Sequence, residues 1–266
     1  MVKLHLWVFI VLIYLLEFGL SDVIEVPPLN INQKDLMKHL SLIDIKIALP
    51  AIYVFGDSFV DNGKNKAILG NKDAIGGGYL PFGIDFDGKP TGRVTNGRIG
   101  VDFIATVAGL PYPPPIMGMS KIDRKRIQTG VNYASGSSGL LPQNGHFLHK
   151  NVINFFQQVD LFENTTMEDL KGSKFVLGDI YKVFQDVFEM PESYGFKDVN
   201  TSCCIDNNGT KIQVYAPNIA LCKDRKTRVF FDPFHPSETM HFLWARRFLK
   251  DSSVCSPINL IQLMQA

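Results

Sequence analysis

Net charge is what this sequence most plainly lacks: 27 Lys and Arg stand against 26 Asp and Glu, a formal balance of +1. No global field draws such a chain to nucleic acid or to an anionic membrane surface, so the partner expected is small or uncharged. Cysteine is absent until Cys203, and the four residues Cys203, Cys204, Cys222 and Cys255 form no Cys-x-x-Cys pair with a histidine cluster that would complete a zinc set. The pattern calls for no metal. There is no internal repeat. Gly76-Gly77-Gly78 is followed by no Lys-Ser/Thr pair, so it reads as a flexible loop and not as a phosphate cradle.

A long apolar run is also missing. Residues 6–20 are apolar apart from Glu17, shorter than the roughly 18 to 20 residues that span a bilayer, and Gly19 and Ser21 supply small residues near their end. This predicts a signal peptide over 1–21, removed on export, with no stable membrane span left. Three sequons agree with export: Asn164-Thr165-Thr166, Asn200-Thr201-Ser202 and Asn208-Gly209-Thr210. In an oxidising compartment the four cysteines are expected to form two disulfides, in any of three pairings.

At 45% hydrophobic, the chain can bury one sizeable core. Residues 22–48 read as a lead-in, with Leu36, Leu40 and Ile43 at the spacing of a short surface helix. The main domain then runs over 49–266. Residues 51–55 fit a buried parallel strand, and 76–100 a loop rich in Gly, Pro, Asp and Asn. Residues 99–110 recover helical spacing until the prolines of 111–115, and 121–126 read as a solvated basic loop. Short strands are expected at 175–177 and 229–231, with helix-like spacing over 180–188 between them. The clearest helix is 236–250, opened by Pro236 and carrying the apolar stripe Met240, Leu243, Trp244 and Phe248. Alternating strands and helices predict an α/β domain with a parallel sheet.

A serine attacks a carbonyl only when a base takes its proton, and the base must be held in one tautomer by a third group. Ser58 follows strand 51–55 directly, while Asp232 follows strand 229–231 with His235 three residues on. Ligand sites gather at the carboxyl ends of strands in an open parallel sheet, so these three can meet despite their separation. Of the other histidines, His146 and His149 lie three apart without a carboxylate or cysteine partner and read as solvent-exposed. His241 reads as packed on the last long helix or turned to water, and His39 carries no signal.

Four blocks in order carry a resemblance. Phe55-Gly56-Asp57-Ser58 with Val60-Asp61-Asn62-Gly63, the stretch 79–96 with Pro90-Thr91-Gly92-Arg93, Gly130-Val131-Asn132-Tyr133-Ala134-Ser135-Gly136, and Asp232-Pro233-Phe234-His235-Pro236 together resemble the plant-type GDSL esterase/lipases among the SGNH hydrolases. The resemblance implies a flavodoxin-like three-layer sandwich with a parallel sheet, no cofactor, and an extracellular place in the cell wall or apoplast. It also implies hydrolysis of a small ester or lipid through an acyl-enzyme. Ser58 matches the nucleophile, His235 the base and Asp232 its orienting acid. The N–H groups of Ser58 and Gly136 match two donors of the oxyanion hole.

The third donor of that family, an Asn in a Gly-x-Asn-Asp block, has no counterpart. The chain passes from the amphipathic stretch 155–162 through 170–177 into Gly178-Asp179-Ile180-Tyr181, which resembles a much later part of the family. An internal deletion near 171–179 is therefore expected, with loss of at least one central strand and its helix. Asn132, Asn144 and Asn154 lie nearby in sequence, but none stands in a matching block. Nothing in the sequence sets an oligomeric state.

Overall fold

The computed structural model describes residues 24–47, 49–63, 77–141, 143–144, 152–165, 176–205 and 220–265. The expected leader, His146, His149, Asn208 and most of the expected deletion junction lie outside these residues.

Helices form where a polar cap precedes an apolar stripe. α1 (Gln33–His39) is capped by Asn32, whose side chain accepts from the Asp35 N–H at 2.9 Å. Its Leu36 and the following Leu40 are buried, whereas Ile43 and five of the seven helical residues are exposed, so α1 is a surface helix anchored to the core through Leu36. α2 (Gly100–Ala108) stops at Gly109, in the left-handed region at φ 71°, before the prolines expected to end it. Residues 121–126 are not a loop. Ser120 caps them as α3 (Lys121–Arg126), which buries no side chain and so keeps the solvated character expected of it.

α4 (Phe155–Thr165) is opened by a capping box in which Asn154 accepts from the Gln157 N–H and Gln157 accepts from the Asn154 N–H. β1 (Leu177–Gly178) leads into α5 (Ile180–Glu189), capped by Asp179. β2 (Cys204–Ile205) and β3 (Ala220–Leu221) pair antiparallel. α6 (Glu238–Lys250) begins two residues later than expected, because Ser237 takes the cap and Pro236 lies outside it. β4 (Cys255–Ser256) returns to pair antiparallel with β1, and α7 (Leu260–Gln265) closes the chain.

The protein is thus mixed helix and strand, but the continuous parallel sheet is not found among the described residues. What exists of it is a narrow parallel strip. The Val54 N–H donates to Val131 O, Tyr133 N–H to Val54 O, Ser135 N–H to Gly56 O, and Asn132 exchanges two bonds with Pro114 O and the Ile116 N–H. Residues 229–231 form no named strand: isolated bridges join Asp198 with Arg228 and Phe230 with Pro236, and Phe230 O and Phe231 O accept from the Cys203 and Cys204 N–H groups. The strip is shorter than a strand ladder because each segment offers only a few residues before a turn. Gly130 permits the closest approach: it sits at φ 103°, and a Cβ there would lie 1.9 Å from Ile52 O.

The principal core lies between α1, α2, α5, α6 and α7. It includes Leu36, Phe103, Val183, Phe242 and Trp244. A smaller cluster under α4 joins Ile116, Val131 and Tyr133 to Tyr53, Phe55 and Phe162. Buried ion pairs brace the frame. Arg93 grips Asp102 bidentately at 2.7 Å, and Arg98 reaches Glu238 at 2.7 Å, stacks 4.5 Å over the Phe103 ring and donates to the carbonyls of Pro27 and Pro28. The lead-in is thereby tied to α6.

Candidate active site

Ser58 sits in a tight turn after the parallel strip. Gly56, at φ 149°, lets the chain reverse there, and a Cβ on it would approach Val60 to 2.8 Å. The Asp57 side chain accepts from the Phe59 N–H, and the Asp57 carbonyl accepts from the Asp61 N–H at 2.9 Å. The turn is therefore braced from within by the Asp57 side chain and carbonyl, with Ser58 half-buried at its crest.

Asp232 and His235 come from the loop ahead of α6. Asp232 is 1% exposed, and one of its oxygens accepts from the N–H groups of Phe234 and His235, both at 2.7 Å. Its carboxylate also receives His235 Nδ1 at 2.7 and 2.9 Å. With Nδ1 donating to a carboxylate, Nε2 is left as the acceptor. Ser58 Oγ lies 2.8 Å from it, across 177 positions of sequence. The three residues singled out in the sequence are thus one hydrogen-bonded chain. It can pass the hydroxyl proton of Ser58 to an imidazole whose orientation and developing charge Asp232 supports.

The backbone donor at Gly136 is placed otherwise. Its N–H donates to the buried Asp61 carboxylate at 2.8 Å, so a reacting oxygen reaches it only if Asp61 gives way. Next to it Ser137 adopts φ 65°, unusual for a residue with a side chain. The asparagines serve the scaffold: Asn132 donates to Val60 O and accepts from the Ala134 N–H, Asn144 accepts from the Leu141 N–H, and Asn154 caps α4.

A cleft of about 430 Å³ opens beside the Ser58 turn, walled by Phe55, Phe59, Phe155, Ile180, Trp244 and Phe248. The Phe59 ring lies 6.4 Å from His235 and 6.2 Å from Phe184, extending the apolar wall. His241 is packed, as one of the two expectations for it held. Burial, followed by the nearby His235, pushes its pKa down to about 3, and its Nδ1 accepts from Trp244 Nε1 at 3.0 Å.

Expected as two disulfides, the cysteines form one. Cys203 and Cys222 are bonded, while Cys204 and Cys255 are buried thiols. Neighbouring residues of an extended segment face opposite ways, so Cys204 is turned from Cys222. Burial, then the Asp232 charge, pushes the Cys204 thiol up to about 12. Asn164 and Asn200 are exposed. Gln158, which the sequence reading passed over, holds the turn from behind.

No protein-family model matches this sequence. It is similar to GDSL esterase/lipase At1g71691 of Arabidopsis thaliana, 26% identical, with 81% of this chain and 85% of the relative covered. GDSL esterase/lipase 7 of the same plant is 25% identical over 80% and 92% of the two chains. GDSL esterase/lipase At5g08460 is 44% identical over 122 residues, 45% of this chain and 30% of its own. The chain is related to the plant GDSL esterase/lipases. The first of these GDSL alignments runs over 337 positions yet uses 81% of the 266 residues here, about 215. About 120 positions of the alignment therefore face no residue of this chain.

Proposed function

We propose that this chain is a secreted serine hydrolase that cleaves a carboxylic ester through an acyl-enzyme on Ser58. The observation that carries the reading is the 2.8 Å contact between Ser58 Oγ and His235 Nε2, made by segments 177 positions apart. Relatives named as esterase/lipases support the ester, and the aromatic cleft beside the turn suits an apolar acyl or alcohol group. His235 takes the hydroxyl proton as Ser58 attacks, Asp232 stabilises the imidazolium, and the proton returns to the leaving alcohol. Water then repeats the sequence in reverse on the acyl-serine. The Ser58 and Gly136 N–H groups are the proposed oxyanion donors, the second once substrate displaces Asp61.

A flavodoxin-like sandwich from which a central strand is missing fits the narrow parallel strip and the unmatched positions of the alignment. The deletion near 171–179 is the proposed place of those positions. Export follows from the leader at 1–21, with glycans on Asn164, Asn200 or Asn208. Among the described residues no helix is long and apolar enough to cross a membrane.

A second reading has its own support. With Gly136 engaged by Asp61 and no matching Gly-x-Asn-Asp donor, the chain is a catalytically impaired secreted glycoprotein of the same family, retained for binding.

Labelling by a fluorophosphonate tests the first reading, because the reagent reports the activated serine directly. Wild-type chain is expected to label, and Ser58→Ala or His235→Ala to lose nearly all of it. Labelling that survives Ser58→Ala overturns the assignment. Ester turnover well below that of complete relatives, in a chain that labels, selects the impaired reading.

A further inference from the structure

α4 has one fully buried side chain, and it is an amide. Gln158 is 0% exposed, where an amphipathic helix would place a hydrocarbon. A buried amide without partners costs several kcal/mol, so its persistence is explained by its bonds. Its Oε1 accepts from the Gly56 N–H at 2.9 Å. Its Nε2 faces three acceptors: Gly56 O at 2.9 Å, Ser138 Oγ at 3.0 Å and Ile153 O at 3.0 Å. An amide has only two N–H bonds, so two of these acceptors share one.

The geometry points to Gln158 as a positioning residue for the nucleophile, an assignment that rests on Ser58 being one. It clasps both backbone groups of Gly56, two residues before Ser58, and ties them to Ser138 on the loop that carries Gly136. The strip holds Gly56 through one further bond, from the Ser135 N–H. Gln158 thereby sets the turn against the facing loop, and with it the distance of Ser58 Oγ from His235 Nε2 and from the backbone donors. It touches no reacting atom. Being on α4, it lies ahead of the proposed deletion, so it is a part of the nucleophile's support that the shortened chain keeps.

Gln158→Met keeps length and bulk and removes all four hydrogen bonds. At saturating fluorophosphonate and well below the unfolding temperature, the variant is expected to label to the wild-type extent. Its rate constant should fall about 10- to 100-fold, the scale of an ångström misplacement. Ser138→Ala, which removes one bond, should slow labelling a few-fold. A merely structural residue would lower the labelled fraction and leave the rate constant alone, and that result overturns the proposal. If Gln158→Met does not fold, an unchanged rate constant in Ser138→Ala overturns it. Hydrogen exchange at the Gly56 amide reads the clasp without catalysis: exchange should quicken in Gln158→Met, or in Ser138→Ala if that alone folds, and unchanged exchange overturns it. If the wild type does not label, the hydrolase reading fails, and Gly56 exchange alone decides whether the clasp exists.

Discussion

The two sides of the Ser58–His235 contact are held by different physics. His235 stands on a loop leading into α6, nine of whose residues are buried, among them Phe242, Leu243 and Trp244, which pack into the principal core. Ser58 stands on a turn whose neighbours are held by polar atoms: Gln158 on Gly56, Asn132 on Val60, Asp61 on Gly136 and the side chain of Asn62 on Pro113 O. Apolar burial is broad and forgiving of small shifts, whereas a hydrogen bond fails within a fraction of an ångström. The side of the proposed base should thus tolerate damage as lost stability, and the side of the proposed nucleophile should register it as lost rate.

The sharpest way to break this comparison is to hollow out the base side. Phe242→Ala, at a core ring away from the cleft, is expected to cost about 3–5 kcal/mol of unfolding free energy in denaturant titration. The rate constant of the molecules that remain folded should change little. On the other side, inserting between Val176 and Asp179 a segment that carries the Gly-x-Asn-Asp block with its strand should raise ester turnover about 10²- to 10³-fold, with far less change in probe labelling. Equal gains in both would mean that the missing donor is not what limits turnover.

The disulfide belongs to the base side, since the Cys203 and Cys204 N–H groups donate to Phe230 O and Phe231 O. Opening the Cys203–Cys222 bridge, which spans 19 positions, should cost about 3 kcal/mol. Thiol counting on the unfolded, unreduced protein should find two free thiols; four would contradict the bridge.

His241 sharpens the contrast through pH. Its folded pKa of about 3 lies below the ordinary 6.5, so the unfolded chain binds a proton that the folded chain refuses. Its contribution is full above pH 6.5 and is lost as pH falls toward 3. Between pH 7 and 5 unfolding should become easier by about 2 kcal/mol on its account. His241→Gln should flatten that slope; an unaltered slope would assign it elsewhere. The smallest effect is expected at Phe156, an exposed ring on α4, where Phe156→Ala should stay within about 0.5 kcal/mol.

Much of the site was legible because its chemistry is local. Asp232 and His235 lie three apart and Ser58 follows a short apolar run, and the resemblance of their blocks to the plant GDSL esterase/lipases carried the expectation. Gln158 was not legible, because beside Gln157 it looks like part of a polar face. Three of its four hydrogen bonds come from the approach of α4 to Gly56 and Ser138, which are distant in sequence. The cysteine pairing depended on which way each Sγ turns in space, which spacing does not encode. The basic run 121–126 became a helix because Ser120 caps it, a signal outweighed in reading by its charge. The breadth of the parallel sheet was overestimated because apolar runs show where a strand can form, not whether a neighbour is present to pair with it.

Gly130 gives the whole arrangement a single seam. The strip bearing Ser58 meets its partner where no side chain fits, Ile52 O lying 1.9 Å from where a Cβ would stand. A methyl group there acts as a wedge, parting the two segments a few residues upstream of Ser58 while leaving Ser58, His235 and Asp232 unaltered in identity. The protein therefore carries, away from its reactive atoms, a place where one added carbon can silence it.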